Sequence, residues 1–287
     1  MNINKMKLHT IETGLFRLDG GAMFGIVPKR IWEKSNPPDE RNLCTWTMRS
    51  LLVEAGDRLI LIETGIGNKQ DAKFRSHFEP HGTANLMDSL QKKGFAPGDI
   101  TDVFLTHLHF DHCGGAVERS ESGDLVPAFP NAVYWSNKKQ LAWATDPNDR
   151  EKASFLKENF IPLAENGVLK FIGKKSNNPL LSGFSVRFAF GHTEAMMLPV
   201  IDTGDRTVVF CADLLPSHWH LPMPWVMAYD IRPLETLDEK ALFLAEAVEK
   251  NWVLYFYHDP SVEAATLKKD ENGRIVVDKK GLLADFL

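Results

Sequence analysis

Histidine and aspartate are concentrated in one short stretch of the chain, Thr106–Gly115, which reads THLHFDHCGG. The stretch follows the apolar run Val103–Leu105, which predicts a buried strand. In an extended chain, side chains two residues apart point to the same side. We therefore expect His107, His109 and Asp111 to emerge together where this strand ends.

His112 is out of phase with these residues and joins them only if the chain bends after Asp111. Gly114 and Gly115 follow directly, and glycine tolerates the backbone angles of a tight bend. Imidazole nitrogens and carboxylate oxygens are ligands that zinc, iron and manganese accept. Solvated loop histidines are the alternative interpretation. Three histidines and an aspartate within six positions, behind a buried strand, favour a metal site.

Three further polar residues each follow an apolar run that reads as a strand. They are His192 after Phe184–Phe190, Asp213 after Thr207–Cys211 and His258 after Trp252–Tyr257. Each has an ordinary explanation when taken alone. The first could be a surface or capping histidine, the second a helix N-cap, and the third a packed core histidine. Their common position at strand ends favours one shared site.

His107–His112 resembles the HxHxDH signature of the metallo-β-lactamase superfamily, and the three later residues match the remaining motifs of that family in order. The resemblance covers nearly the whole chain. It implies a single α/β domain over residues 1–287, built as an αβ/βα four-layer sandwich of two mixed sheets with helices outside. It also implies two divalent metal ions, zinc first, with iron, manganese or cobalt as alternatives.

The family pattern assigns a role to each matched residue. It implies one metal on His107, His109 and His192, a second on Asp111, His112 and His258, and Asp213 bridging both. Asp111 and Asp213 would also be catalytic, because they are placed to orient the nucleophile or carry a proton.

Glu63 and Thr193 are expected to support the site from behind the ligands. The family usually has Asp-Thr-Gly where this chain has Glu63-Thr64-Gly65. Glutamate is one methylene longer, so its contact is expected to shift or to pass through a water.

The implied reaction is metal-dependent hydrolysis. Metal binding lowers the pKa of water from about 15.7 toward roughly 7, so a hydroxide bridging two metals can attack at neutral pH. The chain has no G-x-S-x-G motif, and a serine mechanism is not supported. True β-lactamases of the family generally lack the bridging aspartate that Asp213 matches. Its redox diiron branch usually has an acidic residue where His109 stands.

A lactonase-like hydrolase of lactones or esters is the leading interpretation, nearest to the branch that cleaves acyl-homoserine lactones. The segment Leu18–Gly25 resembles a loop of that branch, and Ser217–Trp225 is rich in aromatic residues and proline. The expected substrate-pocket residues are Met23, Phe24, Phe110, His218, Trp219 and Tyr229, with an ordinary packed loop as the alternative. A glyoxalase-II-like thioesterase and an organophosphate or aryl ester hydrolase stay open. So do a diiron redox enzyme and a non-catalytic metal-binding protein.

Composition and hydropathy disfavour nucleic acid and membranes as partners, which leaves a small-molecule substrate as the expected one. The 287 residues carry a net charge of −5, which gives no footprint for nucleic acid. No apolar run approaches the roughly 20 residues that span a bilayer, and the N-terminus lacks a signal-peptide pattern. Three scattered cysteines predict no disulfide framework and favour the cytoplasm. Cys113, beside His112, reads as a packing thiol rather than a ligand. A homodimer stays open.

Periodicity predicts the elements that position these residues. A hairpin is expected around the turn Glu54–Asp57, and a peripheral hairpin after Lys268. Helices are predicted at Ala84–Lys93, Asn137–Ala144, Phe155–Leu163 and Leu237–Lys250. Strands and helices thus come in two similar blocks, which suits two packed sheets.

Overall fold

The computed structural model describes residues 6–173 and 180–287. The chain divides into two compact units. Unit 1 takes Met1–Phe16 and Met48–Leu180, and unit 2 takes Arg17–Thr47 and Leu181–Leu287. Among the described residues, no helix is both long and apolar enough to cross a membrane.

Unit 1 is built on a six-stranded sheet with the strand order β1-β2-β3-β4-β7-β8, and a separate hairpin pairs β5 with β6. The division between the units falls inside β1 and β2. The strands are β1 (Lys7–Asp19), β2 (Leu43–Ala55), β3 (Arg58–Ile62), β4 (Asp102–Phe104), β5 (Val117–Arg119), β6 (Leu125–Pro127), β7 (Val133–Ser136) and β8 (Leu169–Phe171). The helices of unit 1 are α3 (Ala72–Phe78), α4 (Leu86–Lys92), α5 (Phe110–Cys113), α6 (Lys138–Thr145) and α7 (Ile161–Glu165).

The order of parallel strands decides which loops of unit 1 come together. β3, β4 and β7 run parallel, with Ile62 opposite Phe104 and Phe104 opposite Trp135. The carboxyl ends of parallel neighbours lie at the same edge of a sheet. Glu63, which follows β3, and the histidine-rich stretch, which follows β4, therefore leave the sheet side by side.

An apolar core holds these strands in place. Leu61 and Val103 from the sheet and Leu90 from α4 are fully buried in one cluster. Burying a side chain of this size stabilises the fold by about 1.5–3 kcal/mol. The side chain of Asn85 accepts a hydrogen bond from the N–H of Asp88 and so caps α4 at its start.

Unit 2 contains a second six-stranded sheet, with the order β14-β13-β12-β11-β10-β9. Within the described part of unit 2, β11 and β12 pair in parallel, and the other neighbouring strands of this sheet pair antiparallel. The strands are β9 (Phe184–Ala189), β10 (Met196–Asp202), β11 (Thr207–Phe210), β12 (Val253–Tyr255), β13 (Ala264–Lys269) and β14 (Ile275–Gly281). The helices of unit 2 are α1 (Gly20–Phe24), α2 (Lys29–Trp32) and α8 (Pro233–Glu249).

The long helix α8 begins with Pro233, a residue suited to the first helical turn because its missing N–H is not needed there. Phe243, Leu244 and Ala247 on one face are buried. Lys240 is also buried, and its ammonium group donates hydrogen bonds to the carbonyl oxygens of residues 222, 223 and 225. Burial lowers the pKa of Lys240 to about 7. The helix thereby holds the proline-rich part of Ser217–Trp225.

The predicted fold class, α/β with two large mixed sheets, is confirmed. Both predicted hairpins are present, as β2–β3 and β13–β14. The helix expected over Phe155–Leu163 is wrong, because that segment contains a 3₁₀ turn at Lys157–Asn159 and then the short α7. Phe160, at φ −138°, separates the two, and Pro162 has no N–H to continue a helix across it. The prediction that residues 1–287 form a single domain stays a prediction.

Candidate metal centre

The histidine-rich stretch of unit 1 bends before Asp111 rather than after it, so the expectation that Asp111 extends the strand is wrong. His109 is still extended, at φ −66° and ψ 150°, and α5 begins at the next residue. The bend does not rely on glycine angles, since Gly114 has an ordinary helical φ of −60°. A Cβ at Gly114 would instead lie 2.1 Å from the carbonyl oxygen of Ile66. Glycine is therefore needed here for close backbone approach.

The imidazoles of His107 and His109 face each other. Nε2 of His107 lies 3.1 Å from Nδ1 of His109, and both residues are buried. The remaining nitrogen of each ring has its own polar neighbour. Nδ1 of His107 is 2.9 Å from Oγ1 of Thr106, and Nε2 of His109 is 3.3 Å from Oε1 of Glu151.

Glu63 supports the same stretch from the neighbouring strand. Its Oε1 accepts a hydrogen bond of 2.7 Å from the N–H of Thr106, and its Oε2 lies 3.8 Å from Nδ1 of His112. Glu63, His107 and His112 each offer one ligand atom, all within 4.8 Å of one another. Glu63 has a φ of +66°, which is uncommon for a residue with a side chain. The longer side chain thus reaches both the backbone before His107 and the vicinity of His112.

Asp111 lies on the first turn of α5 with an exposed fraction of 8%. Its Oδ2 is 3.8 Å from Nε2 of His112, and the His112 ring centroid is 4.0 Å from that of His107. The carbonyl of His112 is held in turn, because the N–H and the hydroxyl of Thr64 both donate to it, at 2.9 and 3.0 Å. Unit 1 therefore groups its four predicted ligands in one small volume.

In unit 2 the three predicted residues reach one edge of the sheet from three strands. β11 and β12 are parallel, with Phe210 opposite Tyr255, so Asp213 and His258 both follow carboxyl ends at that edge. β9 is two antiparallel steps from β11 and so points the same way as β11, bringing His192 to this edge as well. Ala212, directly before Asp213, has a φ of +44°, a backbone strain of the kind found at functional sites.

Asp213 lies between two imidazoles. Its Oδ2 is 3.2 Å from Nε2 of His192 and its Oδ1 is 3.4 Å from Nε2 of His258. The other nitrogen of each ring again has a polar neighbour. Nδ1 of His192 is 2.9 Å from Oδ1 of Asp230, and Nδ1 of His258 is 2.7 Å from the carbonyl oxygen of Thr47.

The partners of Nδ1 favour one tautomer of each ring. A carbonyl or carboxylate oxygen only accepts, so a hydrogen on Nδ1 of His192 and of His258 satisfies these contacts. In that tautomer both Nε2 atoms direct lone pairs toward the oxygens of Asp213. Acceptor atoms facing each other in a buried volume call for a cation between them. The donor set of unit 2 therefore fits a divalent metal with imidazole and carboxylate ligands.

The same reasoning applies to His109 in unit 1. Glu151 accepts from its Nε2, which leaves the lone pair of Nδ1 facing His107. A ligating imidazole whose other nitrogen is bound by a carboxylate or a carbonyl is the usual arrangement in metal sites. The ligand set of unit 1 fits a metal on this ground too.

Sequence reasoning missed the residues that orient these rings. Glu151 is 42 positions from His109, Asp230 is 38 positions from His192, and the Thr47 carbonyl is 211 positions from His258. No local spacing signals such partners, and a backbone carbonyl has no sequence signature. Of the two predicted supporting residues, Glu63 has the contacts described above, and Thr193 is fully buried beside His192.

The predicted pocket residues differ widely in exposure. Met23 and Phe24 are buried, and the Phe24 ring stacks on Trp32 and His220 at centroid distances of 5.3 and 5.1 Å. This segment is the short helix α1 rather than the expected loop. Tyr229 is the most accessible of the set, with an exposed fraction of 37%.

The other pocket candidates have aromatic or charged neighbours. Phe110 is buried against Phe74 and Phe78, with centroid distances of 5.1 and 4.4 Å. His218 pairs through Nδ1 with the Asp259 carboxylate, and its ring lies 5.0 Å from that of the half-buried Trp219.

Cys113 has the environment of a packing thiol. It is fully buried, and its Sγ donates to the carbonyl oxygen of Leu108 at 3.4 Å. Burial raises the pKa of the Cys113 thiol well above its ordinary range.

The buried His220 of unit 2 is a structural histidine. Burial lowers the pKa of His220 to about 3, so this histidine is neutral at physiological pH. Its Nε2 lies 2.9 Å from the carbonyl oxygen of Met23, consistent with a structural role.

Known proteins that resemble this chain in sequence or in fold include probable metal-dependent hydrolases. The family model described as "Metallo-beta-lactamase superfamily" matches residues 49–258. A probable metallo-hydrolase from Mycobacterium tuberculosis is 24% identical over 84% of this chain and 86% of its own length. The structure of a probable metal-dependent hydrolase from Staphylococcus aureus is similar with a TM-score of 0.87, at 26% identity and 98% coverage of both chains.

A second solved structure is similar in fold. It is AidC, a dizinc quorum-quenching lactonase in complex with a product, with a TM-score of 0.79 and 23% identity over 99% of this chain and 97% of that one. The family model matches well over half of the chain and spans every candidate ligand in both units. The chain therefore belongs to the metallo-beta-lactamase superfamily, as a metallo-hydrolase of that family.

Proposed function

We propose that this chain hydrolyses a lactone or a related ester with two divalent metal ions, held by the ligands that the family pattern assigns. The observation that carries this proposal is the arrangement around Asp213, whose two oxygens lie 3.2 and 3.4 Å from Nε2 of two different imidazoles. A carboxylate placed in this way suits a ligand shared by two cations. Zinc is the first candidate, because imidazole and carboxylate ligands suit it and a similar fold is described as dizinc.

Two bound cations would supply a water of lowered pKa and would stabilise the negative charge that develops on an attacked carbonyl oxygen. The protein supplies the remaining functions. Asp111, on the first turn of α5, is proposed to accept a proton at Oδ2 and pass it to a leaving alkoxide. Asp230 and the Thr47 carbonyl hold the rings of unit 2 so that Nε2 points toward Asp213.

Apolar surface beside the ligands favours an acyl substrate. The ring of Phe110, between His109 and Asp111 in the chain, packs with Phe74 and Phe78. Pockets that bind small molecules are mostly lined by apolar and aromatic side chains. A substrate with an acyl chain and a cleavable lactone or ester carbonyl suits such a wall.

In unit 2, exposure separates the pocket candidates into two roles. Tyr229 and Trp219 keep accessible surface and are proposed to contact the substrate. Met23 and Phe24 are buried, so we propose that they support the wall from behind. His218, fixed by Asp259, is proposed to lie at the pocket margin.

Metal reconstitution and a substrate panel test this function. Protein loaded with zinc is assayed with acyl lactones, aryl esters, thioesters and phosphotriesters, and kcat/KM is compared across them. We expect the acyl lactones to give the highest value, and chelated protein or His109→Ala to give none. A preference for thioesters or phosphotriesters would overturn the substrate class. Two bound metals without hydrolysis of any substrate would overturn the enzymatic function.

A further inference from the structure

A buried carboxylate, Glu151, contacts the imidazole of His109. The side chain of Glu151 is 3% exposed, and its Oε1 lies 3.3 Å from Nε2 of His109. Its Oε2 accepts hydrogen bonds from Nε1 of Trp143 at 2.6 Å and from Nδ2 of Asn148 at 2.8 Å. A buried negative charge is costly unless donors compensate it. Three donors from separate residues surround this one.

The surrounding segment also holds His109 by other contacts. The Phe155 ring lies 4.8 Å from the His109 ring, inclined at 53°. The N–H of Phe110, the next residue, donates to the carbonyl oxygen of Ser154 at 2.9 Å. Glu151, Ser154 and Phe155 therefore fix both the ring and the following backbone of this predicted ligand. None of them was a predicted site residue.

We propose that Glu151 is a positioning residue for His109, and that its charge strengthens metal binding by the ligand set of unit 1. The proposal rests on the proposed function, because it assumes that His109 binds a metal through Nδ1. By accepting from Nε2–H, the carboxylate selects the tautomer whose Nδ1 lone pair is available and orients the ring. Glu151 touches neither substrate nor the reacting atoms.

Glutamine cannot replace this carboxylate without losing a contact. A glutamine side chain has one accepting oxygen and one donating NH₂ group. If its oxygen faces His109, the NH₂ faces the N–H donors of Trp143 and Asn148. If the amide is flipped, the NH₂ faces the N–H of His109. Either orientation places donors against donors, so Glu151→Gln is a sharp probe of the same volume.

Cobalt binding provides the test. Co²⁺ is titrated into metal-free protein against a chromophoric chelator, and the visible absorption of bound Co²⁺ is recorded. For Glu151→Gln we expect one of the two binding steps to weaken by about 10–100-fold, with a changed spectrum for that ion. The other step should stay within about twofold of wild type. Trp143→Phe, which removes one donor to Glu151, should weaken the same step by a smaller factor.

Asp149→Asn is the matched control. It removes a negative charge two residues before Glu151, and the side chain of Asp149 is 96% exposed. It should leave both binding steps unchanged. Circular dichroism and thermal melting of each metal-free variant establish that it is folded; should Glu151→Gln not fold, Trp143→Phe decides. Unchanged affinities and spectra in the folded variants, with two ions bound to wild type, would overturn this role of Glu151 alone. A wild-type protein that binds no Co²⁺ would overturn the proposed function and this inference with it.

Discussion

The two units assemble their candidate ligands in different ways. In unit 1, His107, His109, Asp111 and His112 lie within six consecutive residues, and one strand end followed by one turn of helix groups them. In unit 2, His192, Asp213 and His258 are spread over 67 positions and meet because three strands end at one edge of a sheet. We call the first the compact set, because local chain geometry groups its four residues, and the second the dispersed set, because strand order brings its three residues together.

The groups that orient the rings are mostly distant in sequence, even for the compact set. His107 is held by the adjacent Thr106, but His109 depends on the distant Glu151. In unit 2 both rings depend on distant groups, Asp230 and the Thr47 carbonyl. A ligand set that is compact in sequence therefore still needs tertiary structure to fix the direction of its lone pairs.

The largest effect is expected from removing the shared ligand of the dispersed set. Asp213→Ala deletes both oxygens that face His192 and His258, so neither cation should be retained and turnover should fall to background. His109→Ala, from the compact set, should also abolish turnover but should keep one ion per chain. Elemental analysis of the purified variants and kcat/KM measure this difference. Equal metal content in the two variants would show that Asp213 is not shared.

A distant orienting group should have a smaller but measurable effect. Asp230→Asn keeps an oxygen for Nδ1 of His192 but removes the charge, and we expect metal affinity to fall by about 10–100-fold. Asp238→Asn, an exposed position on α8, is the matched control. Chelator competition measures both dissociation constants. If Asp230→Asn binds metal as tightly as the control, the ring of His192 is oriented without this carboxylate.

The compact set shows how far the positions of ligands can be predicted from one sequence. Strand periodicity and the two-residue spacing placed His107 and His109 correctly relative to β4, but Asp111 was expected on the same extended segment and instead lies on the first turn of α5. The reason given for Gly114 was incomplete, because its φ is ordinary and close approach to Ile66 is what excludes a side chain. Periodicity predicts which way a side chain points but not which backbone passes beside it.

The dispersed set was found through motif resemblance, and its partners were not found at all. Asp230 follows no strand pattern that distinguishes it from other loop aspartates, and only the fold brings it to His192. The segment Phe155–Leu163 shows the same limit in secondary structure. Its apolar spacing suggested a helix, yet the backbone at Phe160 and the proline at 162 divide it.

A substitution at a proposed pocket residue should leave the metals in place. Tyr229→Ala removes an exposed aromatic ring from unit 2 and should raise KM by about threefold to tenfold through lost apolar contact, with kcat changed less. Leu234→Ala, also exposed but on α8, should not change KM. Steady-state kinetics with an acyl lactone and metal analysis separate the two. A fall in metal content in Tyr229→Ala would place this residue in the ligand framework instead.

The smallest effect on turnover is expected at Glu63, the supporting residue of the compact set that comes from the next strand. Glu63→Asp restores the residue usual in the family but shortens the reach to the N–H of Thr106, now 2.7 Å. Losing this buried hydrogen bond should lower the free energy of unfolding by about 1–2 kcal/mol. Two bound ions should be retained. Glu63→Gln keeps the length and an accepting oxygen, so its loss of stability should be smaller. Denaturant unfolding of the metal-free proteins measures both. If the shorter aspartate is the more stable variant, reach to Thr106 is not what Glu63 contributes, and the compact set is more self-sufficient than the dispersed one.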